Sequence, residues 1–273
     1  MISRFPRTLS LVLIGAGLSI AGFIMQQIAQ NKFVSPTTAG SLDAAKMGIL
    51  FSLILLPQAT LIGKMISALL FTFLASLVFM LIIRKVKFRN SVFIPLAGIM
   101  FGNILGAIAT FFAYKNNIVQ NTQEWMLGDF SAVMQGQYET IYLILPIVIL
   151  TYIYADRLTI VGMGDSFARN LGLSYGTVVN MGLFAVSLIV SASVVTVGAI
   201  PFVGLVIPNI VSMILGDNLR KTLPYSALVG AAFLLFCDIL GRIMIFPYEI
   251  PIGMMVGVIG GITFLILIIK KSR

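Results

Sequence analysis

Apolar residues fall in long blocks along this chain, and the polar residues collect in the gaps between them. A membrane-spanning helix needs about 20 apolar residues, and fewer where neighbouring helices shield it. Nine blocks fit that description: residues 8–29, 44–59, 62–83, 92–114, 141–155, 178–200, 202–215, 224–241 and 251–269. The pattern predicts an all-α polytopic membrane protein with one transmembrane domain over residues 1–273 and about nine spans. One polar stretch is too long to be a simple turn. Residues 156–180, DRLTIVGMGDSFARNLGLSYGTVVN, hold Asp156, Arg157, Asp165 and Arg169 between two greasy blocks. It is expected to form one or two short helices. Asp165 can cap the second, Asp165 and Arg169 share a face four residues apart, and Gly172 can end it in a left-handed conformation. The apolar stripe Phe167, Leu171 and Leu173 has no use in a free loop, so this stretch reads as a partner surface.

Composition supports the membrane reading and removes several chemistries. Hydrophobic residues make up 59% of the chain and charged residues 10%, against roughly 25% charged in soluble domains. Mean hydropathy is +1.06. The net charge of +9 fits basic loops on the cytoplasmic side better than nucleic-acid binding. Cys237 is the only cysteine, so no intramolecular disulfide can form. Histidine is absent. That excludes a serine–histidine intramembrane protease and an HExxH metalloprotease. An aspartyl type needs two intramembrane aspartates, and only Asp238 qualifies. The first block lacks a small-residue cleavage site and is expected to remain as a span.

Basic residues orient the chain. With the tail Lys270–Lys271–Ser272–Arg273 inside, nine spans put the N-terminus outside. The inner loops then hold Lys32, Lys46, Arg84, Lys85, Lys87, Arg89, Arg157, Arg169, Arg220, Lys221 and the tail, 13 of the 18 basic residues. Arg4, Arg7, Lys64, Lys115 and Arg242 stay outside. Arg4 and Arg7 flank the first span on the side that the positive-inside rule disfavours. They serve either as interfacial anchors or as ligands for a partner. Between Lys115 and Thr140, a short surface helix is expected with Trp125 at headgroup level.

Three further features stand out. Gly98, Gly102 and Gly106 recur every four residues on one helix face, which lets another backbone approach. They serve either packing within the chain or a subunit interface or pore lining. Pro201 and Pro208 are expected to break the seventh block, leaving a kinked helix or a cavity-lining segment. Asp238 is an acid inside a span, a functional candidate by default. Arg242, one turn away, offers a neutralising pair.

Four blocks carry a family resemblance: SRFPRTLSLVLIGAGLSIAGFIMQQIAQNKFVSPTTAG, GMGDSFARNLGL, PFVGLVIPNIVSMILGDNLRKTLPYSALVGA and DILGRIMIFPYEIPIGMMVGVIGG. In sequence and order they resemble the iron–siderophore and vitamin B12 permease family of ABC importers, the FecCD type. The resemblance covers essentially the whole chain and is closest to members handling catecholate-type siderophores.

The resemblance implies a permease subunit in the bacterial cytoplasmic membrane that forms a pore with a second permease, expected to be a different homologue. An ABC ATPase dimer below would use ATP, and an extracytoplasmic siderophore-binding protein would dock above. No GxxxxGK[ST] motif is present, so this chain is expected to bind no cofactor and to catalyse no reaction itself. By position, Arg4, Arg7 and Arg242, the last seven residues before Glu249, would grip carboxylates on the binding protein. Arginine suits that role because its planar fork makes two hydrogen bonds to a carboxylate. Gly164, Asp165, Ala168, Arg169, Leu171 and Gly172 would couple to the ATPase, and Asn31 and Phe33 would belong to the inner gate. Lys32 stands where the family usually has proline. The family usually has ten helices, one ahead of the RxPRT motif, so the resemblance implies one helix fewer here. An ion-coupled secondary transporter centred on Asp238 is the alternative.

Overall fold

The computed structural model describes residues 4–85, 93–136 and 138–271, apart from the side chains of Arg84 and Lys271. Lys87, Arg89, Ser272 and Arg273, expected on the inner side, lie outside the described residues. Within them the chain is helical and contains no strand. Twelve helices follow in order: α1 Arg4–Ile28, α2 Ser41–Leu55, α3 Leu61–Lys85, α4 Phe93–Lys115, α5 Val119–Trp125, α6 Ile144–Ile153, α7 Ala155–Gly162, α8 Asp165–Asn170, α9 Tyr175–Val197, α10 Val203–Leu215, α11 Leu219–Ile243 and α12 Ile252–Lys271. A 3₁₀ turn, Glu139–Leu143, leads into α6.

Each predicted apolar block is helical, but the blocks are not all full spans. Among the described residues α1, α3, α4, α9, α11 and α12 are long and apolar enough to cross a membrane. A seventh passage is bent: Glu139–Ile153 meets Ala155–Gly162 at 65°. The second and seventh blocks give helices of only 15 and 13 residues. Hydropathy counts apolar length and cannot tell a helical stretch from an extended one. The stretch before each short helix is irregular: residues 29–40 before α2 and residues 198–202 before α10. Non-helical backbone at membrane depth survives where protein surrounds it. Val34, Ser35, Ala39 and Ile200 are accordingly buried.

Helix α1 is the axis of the molecule and packs against α11, α9 and α10. Hydrophobic burial gives little drive for helix association inside lipid, so close backbone packing takes over. Small residues make that approach possible. A Cβ on Gly15 would sit 2.5 Å from the Gly230 carbonyl oxygen on α11, and one on Gly22 would strike the Gly204 carbonyl oxygen on α10. The second crossing involves Pro208. Proline is expected to break the seventh block there, yet α10 runs through it. Pro208 has no N–H for the carbonyl of Gly204, and that carbonyl lies against Gly22 instead. The real break is upstream, where Pro201 precedes Phe202 at φ +63°.

The connection from α4 to α6 folds back onto the bundle after α5. Asp129 N–H donates to the Val197 carbonyl at 2.9 Å, and Gly253 N–H donates to the Gly128 carbonyl at 2.9 Å. Gly198 ends α9 at φ +87°, with the Trp125 carbonyl where a Cβ would be. Only glycine meets both conditions without strain. The ends of α9, α12 and the connection are thereby sewn together through backbone.

Candidate functional site

At the end of the molecule that carries Arg4, four charged side chains from three parts of the chain form one cluster. Arg7 donates from Nη2 to Asp238 Oδ1 at 2.6 Å and from Nη1 to Glu249 Oε2 at 2.6 Å. Its Nε also reaches Asp238 Oδ1, at 3.1 Å. Arg242 Nη2 lies 2.8 Å from Asp238 Oδ2. The Asp238 side chain is 7% exposed and Arg7 12%, whereas Arg242 and Glu249 are each 42% exposed. The cluster is thus two cations and two anions, graded from buried to open. It staples α1 to α11 and to the loop ahead of α12. The pairing of Arg242 with Asp238 follows from their spacing on one helix. Arg7 and Glu249 join that pair only through the tertiary fold. Arg4 stands exposed on the first turn of α1. Nearby at the same end, the Lys64 ammonium sits 4.9 Å from the centre of the half-buried Trp125 ring.

The opposite end carries the polar stretch, folded as two short helices. Helix α8 begins at Asp165 itself, and its N-cap is Gly164 at φ +114°. Asp165 therefore does not cap. Its carboxylate instead accepts from Arg169 Nε at 2.7 Å, and that partner raises the Arg169 guanidinium further above its ordinary value. Gly172 stops the helix at φ +76°, with its N–H on the Arg169 carbonyl at 2.9 Å. Ala168 is buried and pins α8 to the body. Phe167 and Leu171 face outward at 47% and 56% exposure, while Leu173 packs against the core. Of the three apolar side chains, two remain exposed.

The segment after α1 lies at the same end as the polar stretch, with Gln30 beside Gly164. Asn31 is buried, and its Oδ1 accepts the Phe33 N–H at 2.8 Å. The Phe33 ring meets Phe264 of α12 edge-on at 6.1 Å. Lys32, expected among the basic residues of the inner side, is engaged three ways. Its Nζ lies 2.9 Å from Asp217 Oδ2 and 3.2 Å from Ser212 Oγ, and its carbonyl accepts from Asn209 Nδ2 at 2.8 Å. Asn209 is a polar residue in an otherwise apolar run. Nothing in the sequence pointed to Lys32 as its partner, 177 residues away.

The glycine face of α4 turns toward the start of α2. A Cβ on Gly98 would strike the Thr38 carbonyl, one on Gly102 would lie 2.9 Å from Asp43 Oδ2, and one on Gly106 3.1 Å from Asp43 Oδ1. The face is occupied within this chain. Among the described residues, no group of three or more histidine, cysteine, aspartate or glutamate side chains could hold a metal ion.

Comparison with known proteins places this geometry. The family model of the FecCD transport family matches residues 1–270. The petrobactin import system permease protein YclN of Bacillus subtilis is 55% identical over 270 residues, which cover 99% of this chain and 85% of that protein. The ferric-anguibactin transport system permease protein FatD of Vibrio anguillarum is 51% identical over 271 residues, covering 99% and 86%. The vitamin B12 import system permease protein BtuC of Salmonella typhi is 31% identical, covering 99% and 83%. A solved metal-chelate type ABC transporter in an inward-facing conformation superposes with a TM-score of 0.83 at 25% identity, over 98% of this chain and 86% of that one. PsaBC from Streptococcus pneumoniae shares the fold, with a TM-score of 0.71 at 16% identity, over 96% and 90%.

Proposed function

The chain belongs to the FecCD transport family, and from that premise we propose that it is the pore-forming permease subunit of an ATP-driven importer for ferric siderophores in the bacterial cytoplasmic membrane. The observation that carries this reading is identity above one half, over nearly the whole chain, to two permeases named for siderophore import. The substrate crosses a pore shared with a second permease subunit, a different homologue. A separate ATPase dimer binds and hydrolyses ATP and seats on α7 and α8. Phe167 and Leu171 enter its groove, and Gly164, Ala168, Gly172 and the Asp165–Arg169 pair hold α8 in shape to receive it. A siderophore-binding protein delivers cargo to the opposite end, where exposed Arg4 and half-exposed Arg242 meet its carboxylates. Arg7, already held by Asp238 and Glu249, braces that surface. Asn31 and Phe33 close the inner end of the path. Asp238 gives little support to an ion-driven carrier, because two arginines already neutralise it.

The test is reconstitution of the chain with its ATPase and second permease in vesicles, loaded with ATP and supplied with binding protein and a panel of ferric siderophores, catecholate types first. Uptake is expected only with both ATP and the ATPase. Accumulation by this chain alone under a proton gradient rejects the proposal in favour of the carrier.

A further inference from the structure

The proposed coupling surface and the proposed inner gate have no direct bond in the sequence, yet a short series of polar contacts joins them. It starts on α7, the first helix of the polar stretch. Asp156 Oδ2 accepts from Arg220 Nη1 at 2.6 Å, and Thr159 Oγ1 accepts the Leu219 N–H at 3.3 Å. Both contacts tie α7 to the first turn of α11. That turn follows directly on Gly216 and Asp217, the link from α10. Asp217 then holds Lys32 at 2.9 Å, and Ser212 and Asn209 on α10 take the same residue at Nζ and at its carbonyl. Lys32 lies between Asn31 and Phe33.

We propose that the Asp156–Arg220 and Asp217–Lys32 pairs are positioning contacts that carry movement of α7 to the gate segment at residues 31–33. The proposal rests on the reading of α8 and α7 as the ATPase seat. Proline at position 32 could keep a carbonyl for Asn209 but could offer no cation to Asp217. This chain therefore holds its gate to the α10–α11 link by charge as well as by backbone. All four charged side chains are 40% or more exposed. Exposed pairs of this kind contribute little to global stability. Their effect falls on the relative placement of two elements that have to move together. A link of this sort is established by coupling between its members, not by adjacency alone.

The experiment uses the whole reconstituted transporter and reads ATP hydrolysed per siderophore imported, together with the hydrolysis rate. Lys32→Gln and Asp217→Asn are each expected to raise that ratio roughly fivefold or more, with hydrolysis retained. The double variant should be no worse than either single one. The charge exchange Lys32→Asp with Asp217→Lys should recover most of the loss. The pair Asp156→Asn and Arg220→Gln should behave in the same way. An unchanged ratio in the single variants overturns the proposal, as does a double loss equal to the product of the single losses. If a single variant fails to assemble, the charge exchange decides: recovery supports the link and continued failure overturns it. Wild-type uptake that needs no ATPase would instead reject the permease reading, and the wild-type control separates that outcome from the others.

Discussion

The two ends of this molecule use charge in opposite ways. At the end bearing Arg4, Arg7 and Asp238 are nearly buried, share two hydrogen bonds of 2.6 and 3.1 Å, and fasten α1 to α11 across 231 residues of sequence. At the other end, Asp165–Arg169 and Asp156–Arg220 lie in the open beside exposed Phe167 and Leu171. A buried charge that loses its partner keeps its desolvation penalty, so the first end is brittle. An exposed pair is screened by water and salt, so the second can be altered without unfolding the protein. Similar charges are therefore locked into the packing at one end and left open to solvent at the other.

The sharpest way to break that contrast is Asp238→Ala. It leaves Arg7 with Glu249 alone and should cost about 3 kcal/mol of stability, read as a lower melting temperature of the detergent-solubilised complex. A loss under about 1 kcal/mol would mean that this cluster is as wet as the opposite end. Gly198→Ala tests the backbone seam beside it. The left-handed φ and the Trp125 carbonyl together predict a cost of about 1–3 kcal/mol in the same melt. Leu171→Asp moves to the open end, where stability should change by no more than about 0.5 kcal/mol. The ATPase should nevertheless no longer co-purify. A cysteine replacing Ser166, exposed on α8, should crosslink to the ATPase, and repeated failure in a well-assembled complex would remove the seat from α8. Arg4→Glu should be the mildest for the fold, with no measurable change in melting. Affinity for the binding protein should fall, with slower association at low salt. If affinity stays unchanged even when Arg242→Glu is added, docking does not run through these arginines.

Much of the fold was legible because a bilayer imposes a length and an apolar content on every passage. The blocks became helices for that reason, and the Asp165–Arg169 pair and the Gly172 stop followed from local helix geometry. The misreadings turned on remote contacts, except at Asp165, where the preceding residue decided the outcome. Pro208 stays inside α10 because the Gly204 carbonyl is packed against Gly22. Asp165 starts α8 because Gly164 already caps it. Hydropathy counts the short α2 and α10 as spans because it cannot see that the chain before each is irregular and buried in protein. Gly15 and Gly22, with Ser19 between them, carry a small-residue spacing that could have marked α1 as the central helix.

By itself, the order of residues determined that this protein is a bundle of membrane helices, which blocks are helical, and that one polar stretch stands apart from them. It also carried the family, because four motifs in the right order are a property of sequence. Only the folded chain decided that Arg7 is held by Asp238 and Glu249, that Lys32 answers to Asp217, and that Gly102 and Gly106 of α4 rest on Asp43. Local geometry reaches one or two turns along a helix, whereas these partners stand far apart in the chain and meet only when helices cross.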